Sequence, residues 1–201
     1  MVVAGMLWLA AVIAGSLAML RYANTPGHAA QAPLQWSANS LIARDSQRAT
    51  LVMFVHPRCP CSRASVGELS LLMAHCQGRV NAHVLFFKPA GSAAEWAETD
   101  LWRSAAAIPG VEVHSDDGGV EARRFHAETS GHTVLYDRAR RLQFSGGITA
   151  ARGHSGDNAG RSAIAALVNG GAPQERGTPV YGCSLVNPES KCQAGVSLCT
   201  H

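Results

Sequence analysis

The sequence feature that most constrains the fold is an apolar segment that leads directly into two cysteines. Residues 50–55, TLVMFV, form a continuous apolar run with β-branched and aromatic members, which is typical of a strand buried on both faces of a sheet. HPRCPCSRAS follows at once, and apolar residues then recur at helical spacing, which predicts a helix from about Pro60 to Cys76. Cys59 and Cys61 are therefore predicted to lie at a strand-to-helix corner.

A cysteine at such a corner is well placed to become a reactive thiol. A helix N-terminus offers unpaired backbone N–H groups and a partial positive charge, and both favour the thiolate over the thiol. Arg58 and Arg63 add positive charge nearby, so Cys59 is predicted to be the attacking thiol. The alternative is that Cys59 and Cys61 are small buried residues of the core.

The rest of the chain alternates strand and helix patterns, which predicts an α/β fold with a central mixed sheet and helices on both faces. The hairpin pattern near the end indicates that part of the sheet is antiparallel. The expected strands cover 81–88, 111–114, 133–136 and 141–144, and the expected helices lie around 93–107, 120–125 and 158–168.

The N-terminus is expected to be a membrane anchor. The first twenty residues carry no charged side chain and can just cross a bilayer of about 30 Å as a helix. A cleaved secretory signal is the alternative, with a small-x-small site at Ala30-Gln31-Ala32. The sequence is therefore divided into an anchor or uncleaved signal (1–21), a tether (22–47), an α/β domain (48–170) and a cysteine-containing C-terminal tail (171–201).

Two features bear on which side of the membrane the domain lies. Six cysteines suit an oxidising compartment, whereas the single Arg21 after the apolar run favours a cytoplasmic domain. We favour the periplasmic or extracytoplasmic side.

Charge and motifs exclude several functions. The 17 basic and 14 acidic residues are scattered without a basic run, so nucleic acid is not an expected partner. The sequence has no nucleotide-binding fingerprint and no haem-attachment motif, so no organic cofactor is expected.

Strand, cysteine pair at a helix start, strand, helix, hairpin and helix together resemble the thioredoxin superfamily, over about residues 48–170. HPRCPCSRAS, with GGITAARGHSGDNAG at 146–160 and TPVYGCSL at 178–185, resembles its membrane-anchored RedB-like group. The resemblance implies a thiol-disulfide oxidoreductase that acts on protein thiols, with Cys59, Cys61 and His132 at the catalytic site.

The sequence departs from the thioredoxin pattern at two positions. Only Pro60 separates the cysteines, so Ser62 stands where the resolving cysteine belongs. A Cys59–Cys61 disulfide would close a tight, easily reduced ring, which favours an oxidant or isomerase over a reductant. His132 occupies the place of the proline that faces the cysteines in thioredoxins.

The departure at His132 opens an alternative function. Two thiolates and an imidazole are good ligands for Cu(I) or Zn(II), and the arrangement is similar to the copper-delivering Sco proteins, which implies Cu(I) held by Cys59, Cys61 and His132.

The remaining candidates have separate expected roles. Cys183 is a possible third thiol at the site, Cys192 and Cys199 are expected to pair locally, and Cys76 is expected in the core. In the loop before the last helix, Arg152, His154 and Asp157 could bind an anion or cap the helix, with Asp157 the favoured cap.

Overall fold

The computed structural model describes residues 1–28, 31–76 and 78–185. Within these ranges strands and helices alternate through most of the chain. In chain order they are α1 (Val2–Ala23), β1 (Ala49–Val55), α2 (Ser62–His75), β2 (Val80–Lys88), a 3-10 turn (Ala94–Trp96), α3 (Asp100–Ala106), β3 (Val111–Asp117), α4 (Val120–Arg124), β4 (His132–Tyr136), β5 (Leu142–Gly146) and α5 (Ala159–Val168).

The five strands form one mixed sheet in the order β3-β2-β1-β4-β5. β1, β2 and β3 are parallel, whereas β4 runs antiparallel to β1 and β5 antiparallel to β4. The cysteine-bearing corner therefore follows the central strand of the sheet. All strands and helices predicted from the apolar pattern are present, and two of them differ from the prediction by more than two residues.

Both changes have local causes. The helix expected over 93–107 is divided, because Thr99 adopts an extended backbone and its hydroxyl donates to the carbonyl of Pro57 at 3.3 Å. The strand expected over 111–114 continues to Asp117, because β3 stays paired with β2 as far as Lys88.

The central strand supplies both faces of the core, as its continuous apolar pattern predicts. Leu51, Met53 and Val55 pack on one face with residues of α2, α3 and α5. Val52 and Phe54 pack on the other face with residues of α4. Successive side chains of a strand point to opposite faces, so this division follows from the alternation along β1.

The segment 22–47, expected to be a tether, packs in part against the sheet. Trp36 is 8% exposed, and its ring lies edge-on to Phe125 and Tyr136 at centroid distances of 4.9 and 5.2 Å. The backbone N–H of Trp36 donates to the carbonyl of Arg140 at 2.9 Å. One buried aromatic ring produces no repeating pattern, so the composition did not reveal this packing.

The first part of the C-terminal tail also folds back on the domain. Ser145 in β5 donates its N–H to the carbonyl of Arg176 at 3.1 Å, and Leu185 donates to the carbonyl of Glu128 at 2.8 Å. Leu185 is 1% exposed in the same core cluster as Trp36. This part of the tail therefore packs along the edge strand β5 and against the loop before β4.

Helix α1 has the length and composition of a membrane span. It contains 22 residues, has a mean hydropathy of 2.2, and buries none of its residues against the domain. At about 1.5 Å per residue it covers the apolar thickness of a bilayer. An N-terminal signal sequence shares these properties.

Candidate active site

The cysteine pair lies in a tight turn between β1 and α2. The N–H of Cys59 donates to the carbonyl of His56 at 3.0 Å, and the N–H of Ser62 donates to the carbonyl of Cys59 at 3.1 Å. Cys61 is the N-cap residue, and α2 begins at Ser62. These hydrogen bonds join residues three apart, as in a turn, whereas an α-helix joins residues four apart. The helix therefore starts two residues later than the predicted Pro60.

Three cysteine sulfurs meet at this turn. The Sγ atoms of Cys59, Cys61 and Cys183 all lie within 4.8 Å of one another, and none of the three cysteines is in a disulfide. We call them the thiol cluster. Cys59 and Cys61 are buried and Cys183 is partly exposed. The tail thus brings a third thiol to the pair.

The position of Cys183 depends on close backbone packing. The N–H of Ser130 donates to the carbonyl of Cys183 at 2.9 Å. A Cβ atom at Gly182 would lie 1.9 Å from the carbonyl oxygen of Ser130, so only glycine allows this approach. Two backbone contacts with Ser130 therefore hold Cys183 in place: a hydrogen bond to its own carbonyl and the close approach of Gly182.

Cys59 is the thiol that the surroundings favour as a thiolate. Burial alone would raise its pKa, but hydrogen bonds from Ser62 and Cys183 outweigh burial and leave the pKa of Cys59 below its ordinary value. Donors aimed at the charged form stabilise that form. Cys59 is therefore the sulfur of the cluster whose surroundings lower its pKa.

A chain of hydrogen bonds orients the Ser62 hydroxyl toward Cys59. The backbone N–H of His56 donates to Ser130 Oγ at 2.7 Å, and Ser130 Oγ lies 2.6 Å from Ser62 Oγ. Either serine can donate in this contact. Ser62 also hydrogen-bonds the Cys59 sulfur, and when its hydrogen points there, Ser130 donates to Ser62. Both serines are about 1% exposed, so water does not compete with the chain.

The two other thiols are favoured in the protonated form. Burial and the negative charge of Cys59 raise the pKa of Cys61, although Arg152 opposes this by its charge and by a hydrogen bond. Burial and the hydrogen bond to Cys59 raise the pKa of Cys183 to about 12. Among the three sulfurs, the surroundings therefore favour the thiolate at Cys59 and the thiol at Cys61 and Cys183.

Arg152, in the loop between β5 and α5, supplies the positive charge of the site. Its guanidinium donates to the carbonyls of Gly182 and Thr25 and lies 4.9 Å from the centre of the Tyr22 ring. Its backbone N–H donates to the carbonyl of Ala23 at 2.9 Å. Arg152 therefore connects the thiol cluster to the last two residues of α1.

The arginines predicted to activate the thiol have other partners. Arg58 stacks on the ring of Trp96 at 4.9 Å, and Arg63 forms an exposed ion pair with Asp100 at 2.6 Å. Sequence proximity pointed to these two, whereas the cation beside the sulfurs is 91 residues beyond Cys61. From the sequence, Arg152 in the glycine-rich loop is predicted only to bind an anion or to cap the last helix.

His132 does not join the thiol cluster. It pairs in register with Phe54 and is 2% exposed, and its Nε2 lies 2.9 Å from Ser145 Oγ. Strand alternation places it on the face of Val134, opposite α2. Burial lowers the pKa of His132 to about 4, so the ring is neutral at pH 7.

The loop position that faces α2 belongs to Ser130 and Gly131 instead. Ser130 contacts Ser62, as described above, and a Cβ at Gly131 would lie 2.9 Å from Ser65 Oγ. No cis peptide bond occurs in the part of the chain that the structure describes. The residues that take the place predicted for His132 are therefore one and two positions earlier in the chain.

The remaining predicted residues lie outside the cluster. Asn158 caps α5, because its side chain accepts from the N–H of Arg161 at 2.8 Å, whereas Asp157 forms an exposed ion pair with Arg161. His154 is exposed. Cys76 is fully buried in the core, as expected. Cys192 and Cys199 lie outside the described residues.

The chain is similar to several solved structures. No protein-family model and no curated protein matches the chain. Among solved structures, the chain is similar to a hypothetical protein from Sinorhizobium meliloti, with 24% identity, a TM-score of 0.54, and coverage of 70% of this chain and 80% of that one. It is also similar to an uncharacterized conserved protein from Geobacillus kaustophilus, with 18% identity, a TM-score of 0.55, and coverage of 83% and 91%.

A third similar structure is a secreted disulfide oxidoreductase from Mycobacterium tuberculosis, with 14% identity, a TM-score of 0.45, and coverage of 62% of this chain and 82% of that one. In this chain, the βαβ unit that carries the cysteines is followed by an antiparallel hairpin and a closing helix on one mixed sheet. The chain has a thioredoxin-like fold, preceded by an apolar helix long enough to span a membrane.

Proposed function

We propose that this protein is a membrane-anchored thiol-disulfide oxidoreductase that acts on protein thiols through Cys59 and Cys61. One observation carries the proposal: a buried sulfur with a lowered pKa, Cys59, lies within 4.8 Å of a second thiol on the same turn. Such a pair can exchange disulfides, because the thiolate attacks and the neighbour resolves. Membership of the RedB-like group is part of this proposal.

The reaction needs only the two cysteines and a substrate dithiol. A substrate thiolate attacks Cys59 Sγ of a Cys59–Cys61 disulfide, and Cys61 leaves. The second substrate thiolate then attacks the substrate sulfur of the mixed disulfide and releases Cys59. The substrate loses two electrons and the protein gains them as two thiols. In the reverse direction Cys59 attacks a substrate disulfide and Cys61 resolves.

The donors around Cys59 favour the oxidising direction. A sulfur with a low pKa leaves faster, and a stabilised reduced form makes the disulfide a stronger oxidant. Ser62 and Cys183 both stabilise the reduced Cys59 thiolate. We therefore expect a net oxidant of substrate dithiols, which an external disulfide such as oxidised glutathione re-oxidises.

Cys61, rather than Cys183, is the proposed partner of Cys59. Arg152 donates a hydrogen bond to Cys61, which stabilises that sulfur when it leaves as a thiolate. Burial and Cys59 raise the pKa of Cys183 to about 12, although Arg152 opposes this. Cys183 then serves as a hydrogen-bond donor to Cys59.

Helix α1 is proposed to anchor the domain, with the thiol cluster on the extracytoplasmic side. Arg152 contacts Tyr22 and Ala23 at the end of α1 and also the thiol cluster, so the helix end and the site belong to one contact network. An oxidising compartment supports disulfide exchange of this kind.

Disulfide mapping tests the assignment of the pair. The full-length protein in detergent is oxidised mildly and digested with trypsin, which cuts after Arg58 and Arg63. A Cys59–Cys61 disulfide then lies within the single peptide 59–63, lowering its mass by two hydrogens. A Cys59–Cys183 disulfide would instead join peptide 59–63 to peptide 177–191, and that result would overturn the assignment.

Turnover tests the function itself. Oxidation of a peptide dithiol, with oxidised glutathione present, should fall to the uncatalysed rate in Cys59→Ser, because the attacked sulfur is gone. Cys76→Ala is the matched control, because Cys76 lies in the core at the other end of α2. Undiminished turnover by Cys59→Ser would refute the proposal.

Copper binding is a second candidate, favoured by the three sulfurs within 4.8 Å of one another. Soft thiolates suit Cu(I), and Cys183 now takes the place expected for His132. Competition against a chromophoric Cu(I) chelator should then show one equivalent of Cu(I) bound to the reduced protein. Cys183→Ser should weaken binding and His132→Ala should not. Failure of the reduced protein to compete would exclude this function.

A further inference from the structure

A second cluster of metal-ligating side chains lies on the outer half of the sheet, and shares no residue with the thiol cluster. His83 is on β2, and Glu112 and His114 are on β3. β2 and β3 are parallel, and His83 pairs in register with Glu112. Partner residues and residues two apart point to the same face of a sheet, so the three side chains converge. We call them the imidazole cluster.

The donor atoms of the imidazole cluster are spaced like ligands of one ion. His83 Nδ1 lies 3.1 Å from His114 Nε2 and 3.7 Å from Glu112 Oε2. His114 Nε2 lies 3.8 Å from the same carboxylate oxygen. Tetrahedral bonds of about 2.0–2.1 Å separate ligand atoms by about 3.3–3.4 Å. The observed distances bracket this value without movement of the backbone.

We propose that His83, Glu112 and His114 bind a divalent transition-metal ion of the Zn(II) type. Two imidazoles and a carboxylate are ligands that Zn(II) accepts. The side chains of Glu112 and His114 are 55% and 41% exposed. The fourth coordination position therefore faces solvent and would take water or a small anionic ligand.

The surroundings of His83 fix its ring for this role. His83 is fully buried, and the side-chain amide of Asn81 lies 3.2 Å from its outer nitrogen, Nε2. The backbone of Ala43 also hydrogen-bonds the ring. When Nδ1 binds the ion, Nε2 carries the hydrogen, so the Asn81 amide must turn its oxygen to the ring to accept it. Groups behind a metal-binding histidine commonly set its orientation and tautomer in this way.

A metal ion can replace the hydrogen bond between His83 and His114 without a change in the charge of either ring. Without an ion, one of the two facing nitrogens carries the hydrogen that joins His83 to His114 at 3.1 Å. Metal binding needs a lone pair on both facing nitrogens. The shared proton moves to the outer nitrogen of the ring that carried it, so both rings stay neutral and no net proton is released.

Cobalt spectroscopy of the full-length protein in detergent tests the site. Co(II) substitutes for Zn(II), and its thiolate complexes show a sulfur-to-metal charge-transfer band that imidazole and carboxylate complexes lack. In Cys59→Ser/Cys61→Ser/Cys183→Ser, we expect one equivalent of Co(II) with visible d–d absorption and no such band. Zn(II) should displace it. Absence of binding by a folded triple variant would overturn the proposal.

Single substitutions identify the ligands. In the same background, His114→Ala and Glu112→Gln should each weaken Zn(II) binding by at least about tenfold, while His75→Ala, an exposed histidine on α2, should have no effect. Equal affinity in His114→Ala and His75→Ala would contradict the assignment.

If the triple variant does not fold, the cobalt titration can be made on the protein with its cysteines intact. In the otherwise unchanged protein, His114→Ala should remove the d–d absorption of one equivalent of Co(II) and leave any charge-transfer band from the thiol cluster, with its own d–d bands, unchanged. Retention of the whole spectrum would also refute the site.

Discussion

The thiol cluster is assembled from two parts of the chain that contribute different properties. The local part, residues 56–65, contributes the sulfur pair and the turn that holds it. The remote part contributes Ser130, Arg152 and Cys183 from three separate loops. The local part brings the sulfur pair together and supplies the Ser62 donor to Cys59, whereas the remote part adds the Cys183 donor and the positive charge of Arg152. Substitutions in the remote part should therefore change reactivity while the sulfur pair stays in place.

The largest expected effect tests whether His132 belongs to the remote part. Burial lowers the pKa of His132 to about 4, so between about pH 6.5 and 4 the unfolded chain binds a proton that the folded protein does not. The free energy of unfolding should therefore fall as the pH drops through this window, by about 3 kcal/mol in total. His132→Gln should flatten this dependence in urea titrations, and exposed His154→Gln should not. A shifted pH profile of Cys59 alkylation in His132→Gln would place His132 in the site after all.

The next effect concerns the docking of the tail. In Gly182→Ala the new methyl group meets the carbonyl of Ser130, which should destabilise the protein by about 1–3 kcal/mol and speed maleimide labelling of Cys183. Gly67→Ala is the matched control, because α2 has open space at Gly67 and alanine there should stabilise by about 1 kcal/mol. Unchanged labelling in Gly182→Ala would show that the contact does not hold Cys183.

A smaller effect is expected from the cation. In Arg152→Gln the pKa of Cys61 should rise further, because a charge and a hydrogen bond are lost. Cys61 then leaves more slowly when dithiothreitol attacks the oxidised protein, and stopped-flow kinetics should show a reduced rate. Arg63→Gln removes an exposed arginine of α2, two residues after Cys61, and should leave the rate unchanged. Equal rates in both variants would remove Arg152 from the site.

The smallest effect is expected from a single hydroxyl of the local part. Ser62→Ala removes one donor to Cys59, so the pKa of Cys59 should rise and the pH profile of iodoacetamide alkylation should move to higher pH. Ser70→Ala, on the exposed side of α2, serves as the control. An unmoved profile would mean that the remaining donors, rather than Ser62, set the charge of Cys59.

The same division explains what could be predicted from the sequence. β1, the cysteine turn and α2 follow from apolar periodicity and neighbouring residues, so Cys59 and Cys61 could be located directly. Cys183 could be named only as a possibility, because a glycine-rich tail has no period that fixes its path. Arg152 could be named only as an anion ligand or a helix cap, because the loop sequence does not show which group it faces. The structure places His132 on the face of the sheet opposite α2, because a shift of one residue in a strand reverses the direction of the side chain. Tertiary packing settles such positions.

The contact between Arg152 and the end of α1 has a consequence for how substrates reach the site. If α1 spans a bilayer, Tyr22 lies at the headgroup level, and the thiol cluster is held at a fixed height just above the lipid. Encounter with another membrane protein then becomes a search in two dimensions, with a high effective concentration for thiols presented at that height. Soluble dithiols would gain no such advantage.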